Sequence, residues 1–278
     1  MKRIATFVLL AFSISLQAQL PKTDLYLFEI DTDAMGDVHV HSPKFLNDFN
    51  KNNYNNQASF INEHELFITG HNGRGNTDIY LLNTLTKSVK QFTATDEGEY
   101  SPTLMPNYQD VSCIRVNENN DQHLWSYPLS REDEGNAIIE ELTNVGYHVW
   151  LKPDMLAMFL VNDPVQLAIV NLPDGQPSII QDNIGRTLLK NNTDNLLYVH
   201  KYDDSHWYIK EYSPISRRNE IVVQTLPDKE DFTYMQNGTL LMGDGSKLYR
   251  FRQGQDESWE LVLDLSVYGI NNITRLAV

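Results

Sequence analysis

Two short motifs in this 278-residue chain contain residues that could bind a metal ion. His39 and His41 are two positions apart, so both imidazoles would lie on one face of a strand, but no third ligand is evident. His64-Glu65 begins the string of a zinc metalloprotease helix, yet Ile68 stands where its second histidine should be. The sequence therefore predicts no metal site and no cofactor, and it favours an ordinary surface strand at residues 39–41.

Other catalytic motifs are absent from the sequence as well. No Gly-x-Ser-x-Gly nucleophile elbow occurs, so a serine hydrolase of that type is not predicted. Asp203-Asp204 and Asp244-Gly245 lack the spacing of a calcium loop and are typical of turns. Cys113 is the only cysteine and stands in an apolar run, where we interpret it as a small buried residue. We therefore predict no catalytic residues.

The elements that must position any site repeat along the chain. Apolar strands start at steps of 45, 46, 39 and 44 residues, at Leu66, Val111, Ala157, Leu196 and Leu240. A further strand with aromatic residues follows most of them, as in Ile79-Tyr80 and Leu124-Trp125. A repeat of about 40–45 residues with four short strands is typical of a propeller blade. The sequence thus predicts an all-β propeller.

Five internal copies and two terminal fragments together predict six blades. The copies span residues 57–95, 100–143, 147–181, 185–225 and 230–265, and residues 138–142 are expected to form the fourth strand of the second copy. Residues 272–278 would supply the first strand of a sixth blade, residues 25–30 its third strand and residues 38–42 its fourth. The closing blade, shared by the two termini, is thus expected to be one strand short, as if the chain ended about one hairpin early.

The first copy contains residues that identify a family. Its segments Ala58-Ser59-Phe60-Ile61-Asn62 and Thr77-Asp78-Ile79-Tyr80-Leu81 resemble the WD-like repeat of TolB-like six-bladed propellers, and Tyr100-Ser101-Pro102 repeats it more loosely. The resemblance covers nearly all of residues 20–278. It implies a secreted bacterial propeller but no particular activity, because that fold hosts scaffolds, binding proteins and hydrolases alike.

The N-terminus and the charge indicate where the protein works. Lys2-Arg3, an apolar run and small residues near Ala18 predict a signal peptide over residues 1–19, followed by a single domain over residues 20–278. Residues 20–278 contain 20 Lys+Arg and 37 Asp+Glu, a net charge of −17. Such a surface repels nucleic acid, and no run is long enough to span a membrane. We expect a secreted or periplasmic protein without nucleic-acid partners or a membrane span.

One register position of the repeat carries polar residues throughout. In a propeller the first strand of each blade lines the central channel, and the aligned residues are Gln57, Ser101, His148, Arg186, Asp231 and Arg275. We call these six residues the channel ring; Glu99 and Tyr147 precede it and could line its mouth. The ring could merely hold water, or it could bind a polar or anionic small ligand. An acid–base pair of His148 and Asp231 is a weaker alternative, because their blades are not adjacent.

A complete repeat without a catalytic motif favours a noncatalytic binding or protein-interaction scaffold. Its partner would be a protein or a cell-envelope component held by loops at one face. The alternative is a propeller hydrolase or lyase acting on a small polar substrate in the channel, with calcium as its expected ion. A third hypothesis is a sugar-binding module, in which sugar rings stack on Tyr54, Tyr100, Tyr147 and Trp150.

Overall fold

The computed structural model describes residues 20–33, 36–131 and 134–278, so the predicted signal peptide lies outside the described residues. Two small antiparallel sheets come first along the chain. Strand β1 (Tyr26–Leu27) pairs with β4 (Lys44–Phe45), and β2 (Ile30–Thr32) pairs with β3 (Val38–Val40). A one-turn 3-10 helix at Asp48–Asn50 leads from this hairpin region to the first blade.

Five four-stranded antiparallel sheets follow, each with its strands in sequence order. Blade one comprises β5 (Asn55–Phe60), β6 (Glu65–His71), β7 (Thr77–Asn83) and β8 (Val89–Gln91). Blade two comprises β9 (Gly98–Leu104), β10 (Asp110–Val116), β11 (Gln122–Pro128) and β12 (Asn136–Ala137). Blade three comprises β13 (Val145–Lys152), β14 (Met155–Leu160), β15 (Gln166–Asn171) and β16 (Pro177–Asp182). Blade four comprises β17 (Ile184–Lys190), β18 (Leu196–Lys201), β19 (Trp207–Tyr212) and β20 (Asn219–Gln224). Blade five comprises β21 (Phe232–Tyr234), β22 (Thr239–Asp244), β23 (Lys247–Arg252) and β24 (Glu260–Asp264).

The prediction of an all-β propeller is therefore confirmed, and its core lies between the blades. Phe67 of blade one packs in one cluster with Val111 of blade two, and Leu151 of blade three packs in another with Leu196 of blade four. The second strand of each blade is buried on both faces, which explains why these strands are nearly continuous apolar runs. Cys113 is fully buried in the cluster between blades one and two, as predicted.

The structure has five four-stranded blades, so the predicted count of six is not confirmed. Residues 272–278 form no strand, contrary to the prediction of a first strand there. This segment instead packs by its side chains: Ile273 lies against Gly243, where an added Cβ would come within 2.6 Å, and its amide donates to the Gly245 carbonyl at 2.7 Å. Residues 25–30, predicted to be one strand, contain β1 and only the first residue of β2. Residues 38–42, also predicted to be one strand, contain the shorter β3, which pairs with β2, while β1 pairs with β4.

The terminal segments nevertheless lie beside both end blades. Val38 packs with Leu241 and Leu248 of blade five, together with Ile273 from the C-terminal segment. At the other end of the hairpin, Leu46 packs with residues of blade one. The side chains that gave these segments the pattern of strands are therefore buried against neighbouring blades, although the backbone pairing is incomplete.

The fourth strand of blade two is also displaced from its predicted place. β12 covers Asn136–Ala137, and residues 138–142 form bends and a turn. Ile139 turns into the core between blades two and three, whereas Glu140 and Glu141 are exposed. Ile138 and Leu142 pack against the same cluster, and the Ile138 amide donates to the Leu124 carbonyl at 2.8 Å, so packing between blades accounts for most of the apolar pattern at this position.

No helix among the described residues is long and apolar enough to cross a membrane. The only other helical segment in this part of the chain is a second 3-10 helix at Leu265–Tyr268.

Replacing a side chain of a second strand tests the interblade core. Leu156 is fully buried, so we expect Leu156→Ala to lower the free energy of unfolding by about 2–5 kcal/mol through lost burial and a cavity. Ile179 lies on the outermost strand of the same blade and is 46% exposed, so Ile179→Ala should change it by about 0.5 kcal/mol or less. Urea unfolding measures both, and equal losses would contradict the placement of the core.

Candidate functional site in the central channel

Five residues of the channel ring line one cavity of about 240 Å3. Its walls come from the first strands of blades one to five and from residues 275–278. The ring residues that line it are Gln57, Ser101, His148, Arg186 and Arg275, and Tyr147 lines it with them. The sixth ring residue, Asp231, does not line the cavity. It forms an ion pair with Arg186, which does. The repeat register thus brings the ring together in space, while its role in ligand binding stays a prediction.

Irregular first strands aim these side chains. Pairing between the first and second strands shifts register next to Gln57, Ser101 and Arg186. Gln57 and Ser101 also have positive φ angles, 56° and 54°, which cost non-glycine residues of order 1–3 kcal/mol each. Bulges of this kind re-aim side chains, and strain of this kind is often found where residues serve a function.

Gln57 joins blades one and two at the cavity wall. Its side-chain Oε1 accepts hydrogen bonds from Thr69 Oγ1 at 2.8 Å and from the Ser101 amide at 2.9 Å. Both acceptor positions of this oxygen are therefore occupied. The two bonds fix the orientation of the amide, which places the Gln57 Nε2 on its other side.

His148 is held from behind by a serine of the neighbouring blade. Its Nε2 lies 2.7 Å from Ser112 Oγ, which also accepts a hydrogen bond from Trp150 Nε1 at 2.9 Å. His148 is 6% exposed, and burial lowers the pKa of its imidazole from 6.5 to about 3, so the ring is neutral at neutral pH. Neither His148 Nδ1 nor Ser101 Oγ has a hydrogen-bond partner among the described residues, and both residues line the cavity. Buried polar atoms without partners are rare in proteins, so both residues keep unused hydrogen-bonding capacity beside the cavity.

An ion-pair cluster occupies the other side of the cavity. Arg186 binds Asp231 through two nitrogens, with Nε 3.2 Å from Oδ1, and Thr187 Oγ1 donates to the same carboxylate at 3.1 Å. Lys201 Nζ lies 2.6 Å from Glu230, and Arg275 lies at the longer distance of 3.6 Å from Asp231. The bond to Asp231 raises the pKa of Arg186 above its usual range. Three cations thus face two carboxylates, leaving a net positive charge.

Aromatic rings complete the cavity, but not in the arrangement that a sugar-binding module would need. Arg275 lies over the Tyr147 ring at 5.2 Å, and Tyr147 makes an edge contact with Phe159. Tyr54 is buried, and burial raises the pKa of its hydroxyl to about 12. Trp150 is 5% exposed and bonds to Ser112, so it offers no face for stacking. Trp150 instead packs in the core between blades two and three, so the alternative of a sugar-binding module gains no support from it.

Two further expectations about acidic residues need correction. Glu99 does not line the cavity: it is fully buried between blades one and two, where its carboxyl accepts hydrogen bonds from Thr93 and Thr95. His148 and Asp231 do not form an acid–base pair, because His148 bonds to Ser112 while Asp231 bonds to Arg186. The reason is that alternate residues of a first strand face opposite directions, and neighbouring blades supply nearer partners.

The candidate metal ligands of the N-terminal hairpin are engaged with acidic residues. His39 Nε2 lies 3.5 Å from Asp33, and His41 Nε2 lies 2.8 Å from Asp31. Among residues 20–33, 36–131 and 134–278, no group of three or more His, Cys, Asp or Glu side chains is placed to hold a metal ion.

Sequence reasoning missed the residues that support the ring from other strands. Thr69, Ser112 and Lys201 lie on second strands. Most other residues of these strands are apolar and buried, so no sequence pattern assigned these three to the channel. One signal was available: His148 and Trp150 are two apart on β13 and so share a face, which indicates a common polar partner. Nothing in the sequence specified that this partner is Ser112.

Comparison with known proteins supports the fold alone. No family model and no curated protein matches the sequence. The structure is similar to TolB from Acinetobacter baumannii (TM-score 0.62, 11% identity, 84% of this chain and 61% of that one). It is also similar to a putative TolB from Agrobacterium tumefaciens (TM-score 0.63, 9% identity, 87% of this chain and 90% of that one). A puromycin-hydrolyzing peptidase from Mycobacterium tuberculosis has TM-score 0.55 at 10% identity, over 86% of this chain and 44% of its own. This chain spans less than two thirds of the Acinetobacter protein and of the peptidase. At such identities, the structural neighbours establish a TolB-like propeller fold and not an activity.

The buried carboxyl of Glu99 predicts how stability depends on pH. Burial raises the pKa of Glu99 from 4.5 to about 7, so between these values the folded protein keeps a proton that the unfolded chain has lost. The contribution of the Glu99 carboxyl to the free energy of unfolding is therefore present below pH 4.5 and is lost as the pH rises through 7. The change is roughly 3 kcal/mol. We expect Glu99→Gln to be increasingly more stable than wild type between pH 5 and pH 8, as measured by urea unfolding.

The quantity to follow is the difference in free energy of unfolding between Glu99→Gln and wild type at each pH. His148 changes the stability of both proteins with pH in the opposite direction, so its effect cancels in this difference. The lowered pKa of His148 gives stability that is present above pH 6.5 and is lost as the pH falls towards 3. Glu63→Gln, at a glutamate whose side chain is 93% exposed, is the matched control and should follow wild type. A pH-independent difference between Glu99→Gln and wild type would contradict the prediction.

Proposed function

We propose that this protein is a noncatalytic binding propeller, secreted or periplasmic after removal of residues 1–19, with a polar small-ligand site in its channel. The observation that carries the proposal is the pair of unpartnered buried atoms, His148 Nδ1 and Ser101 Oγ, on the wall of one cavity. The strained backbone at Ser101 and the positive cluster around Arg186 support the same function.

A protein or cell-envelope partner binds at the end of the blades that carries the first and third turns of each sheet. In a four-stranded antiparallel blade the first and third turns lie at the same end. Three exposed apolar side chains occupy such turns: Leu85 follows β7, Tyr108 follows β9 and Ile215 follows β19, with exposures of 63%, 76% and 81%. We name these three residues the turn face. Large apolar side chains on one face favour contact with a partner protein.

The terminal segments complete the ring as a sixth sector. Their packing against blades one and five supports this arrangement, since Val38 and Leu46 are both buried there. Residues 275–278 line the channel beside the first strands, where the first strand of a sixth blade would lie.

The rival function is a hydrolase or lyase that acts on a small polar molecule in the same channel. Turnover of a defined substrate that disappears in His148→Gln would establish it, and stoichiometric calcium in the purified protein would favour it. The described residues supply no carboxylate cluster around the axis beyond Asp231 and Glu230, both of which are engaged by cations.

Thermal unfolding with small probes tests the channel site. We expect either citrate, an anion, or erythritol, a neutral polyol, to raise the Tm of the wild-type protein. Replacing Arg186 and Arg275 together by Ala should weaken an anionic response by about tenfold in Kd, because a charge-assisted hydrogen bond is worth about 1.5–3 kcal/mol. If the double variant fails to fold, Arg275→Ala alone can be measured instead, because it leaves the Arg186–Asp231 pair intact.

The matched control for that experiment is Arg217→Ala with Arg218→Ala. It makes the same change of charge on an exposed loop between β19 and β20 and should leave the response unchanged. No response of the wild type to any polar probe, or equal losses in the two double variants, would contradict a channel site.

Capture from an envelope extract of the source cell tests the turn face. Changing Leu85, Tyr108 and Ile215 together to Ser should reduce recovery of a partner by tenfold or more, on the order expected when interface side chains are removed. The matched control changes Ile179, Ile221 and Leu261 to Ser, since these are similarly exposed on outermost strands. Equal recovery with both triple variants would assign the partner to another surface.

A further inference from the structure

The nitrogen groups with unused hydrogen-bonding capacity around the channel cavity are donors. Gln57 Oε1 already accepts two hydrogen bonds, while Gln57 Nε2 donates to no described residue. An amide nitrogen can only donate, so this side of the Gln57 side chain offers two donors and no acceptor.

The partner of His148 determines what its other nitrogen can do. Ser112 Oγ accepts from Trp150, and its own proton can go either to His148 Nε2 at 2.7 Å or to the Thr103 carbonyl at 3.3 Å. A separation of 2.7 Å is typical of an O–H donor, whereas N–H donors usually lie at about 2.9–3.0 Å, so we assign the Ser112 proton to the bond with His148; Nε2 is then the acceptor and the ring proton lies on Nδ1. His148 then presents a neutral N–H donor at the cavity.

The two carboxylates near the cavity are paired with cations. Asp231 accepts two bonds from Arg186 and one from Thr187, and Glu230 lies 2.6 Å from Lys201. Arg275 retains donor capacity, since its distance to Asp231 is 3.6 Å, beyond a good hydrogen bond. The available nitrogen groups are therefore donors, and the hydroxyls of Ser101, Ser59 and Thr233, which also line the cavity, can act either way.

We propose that the channel binds a small carboxylate, whose oxygens accept from Gln57 Nε2, His148 Nδ1 and Ser101 Oγ, with Arg275 supplying the positive charge. The inference rests on the proposed binding function and narrows it to one class of ligand. The cavity of about 240 Å3 is smaller than the pockets of roughly 300–1,000 Å3 that take drug-sized ligands, so the ligand is a short-chain acid.

Calorimetry on the purified protein at constant ionic strength tests the class of ligand. The carboxylate probes are acetate, malonate and succinate, the neutral probes are glycerol and erythritol, and inorganic phosphate represents other anions. We expect at least one carboxylate to bind about ten times more tightly than every neutral probe, because only an anion makes charge-assisted hydrogen bonds with Arg275, and about ten times more tightly than phosphate.

Two variants of His148 separate its two nitrogens. Gln places an amide nitrogen near the position of Nε2, and Asn places one near the position of Nδ1. His148→Gln should keep contact with Ser112 and weaken carboxylate binding about tenfold, whereas His148→Asn should stay within about threefold of wild type. A 15N NMR spectrum of the wild-type imidazole should show the proton on Nδ1.

Gln57→Glu is the decisive change because it is nearly isosteric. A glutamate keeps an acceptor for Thr69 and the Ser101 amide but replaces the Nε2 donor with a charged oxygen. Carboxylate binding should fall more than tenfold. Gln109→Glu, at an exposed turn glutamine, is the matched control and should have no effect. Far-UV circular dichroism and the Tm identify any variant that fails to fold, and binding by Ser101→Ala then provides a second test, with an expected loss of about fivefold.

The outcomes separate this inference from the proposed function. Carboxylate binding lost in Gln57→Glu and His148→Gln supports both. Preferred binding of a polyol or of phosphate overturns the carboxylate inference and leaves a channel-binding propeller. Carboxylate binding that is unchanged in both variants overturns the inference. Binding by none of the probes overturns the inference and also contradicts the proposed channel site.

Discussion

Burial of the second strand of each blade between its neighbours is the constraint on which the structure depends. A four-stranded sheet with two apolar faces cannot be stable alone in water, since only adjacent blades can cover those faces. The clusters that join Phe67 to Val111 and Leu151 to Leu196 show this directly, because each contains residues of two blades. The end blades meet the same need through Val38 and Leu46 of the N-terminal hairpin. A short hairpin thus serves where a full blade does not form.

The same constraint leaves the first strands to face the channel, where polar residues are tolerated. Their pairing with the buried second strands is interrupted at the ring, and the backbone at Gln57 and Ser101 is strained. A regular strand would alternate its side chains between adjacent blades, whereas a bulge can turn one residue towards the axis. The rigid core holds these irregular positions in place, so the cost of the strain is met by packing elsewhere.

Desolvation has the largest effect on the pKa values of two titratable side chains on the first strands. It lowers the pKa of His148 and raises that of Glu99, because in each case burial disfavours the charged form. Arg186 is charged like any arginine, and the bidentate contact with Asp231 compensates for its partial burial. The wall near His148 is therefore neutral and offers donors, while the opposite wall is ionic.

The sequence by itself determined the repeat, the all-β propeller, the boundaries of five blades to within a few residues, and the ring register. It could do so because strand burial imposes a local pattern every 40–45 residues, and each copy reports it independently. Only the tertiary structure decided how the termini pack, that Trp150 and His148 share Ser112, and that Glu99 turns away from the channel. These outcomes depend on contacts between blades, which are distant in sequence. A local pattern specifies that a side chain is buried or polar, but the partner that satisfies it comes from whichever blade lies alongside.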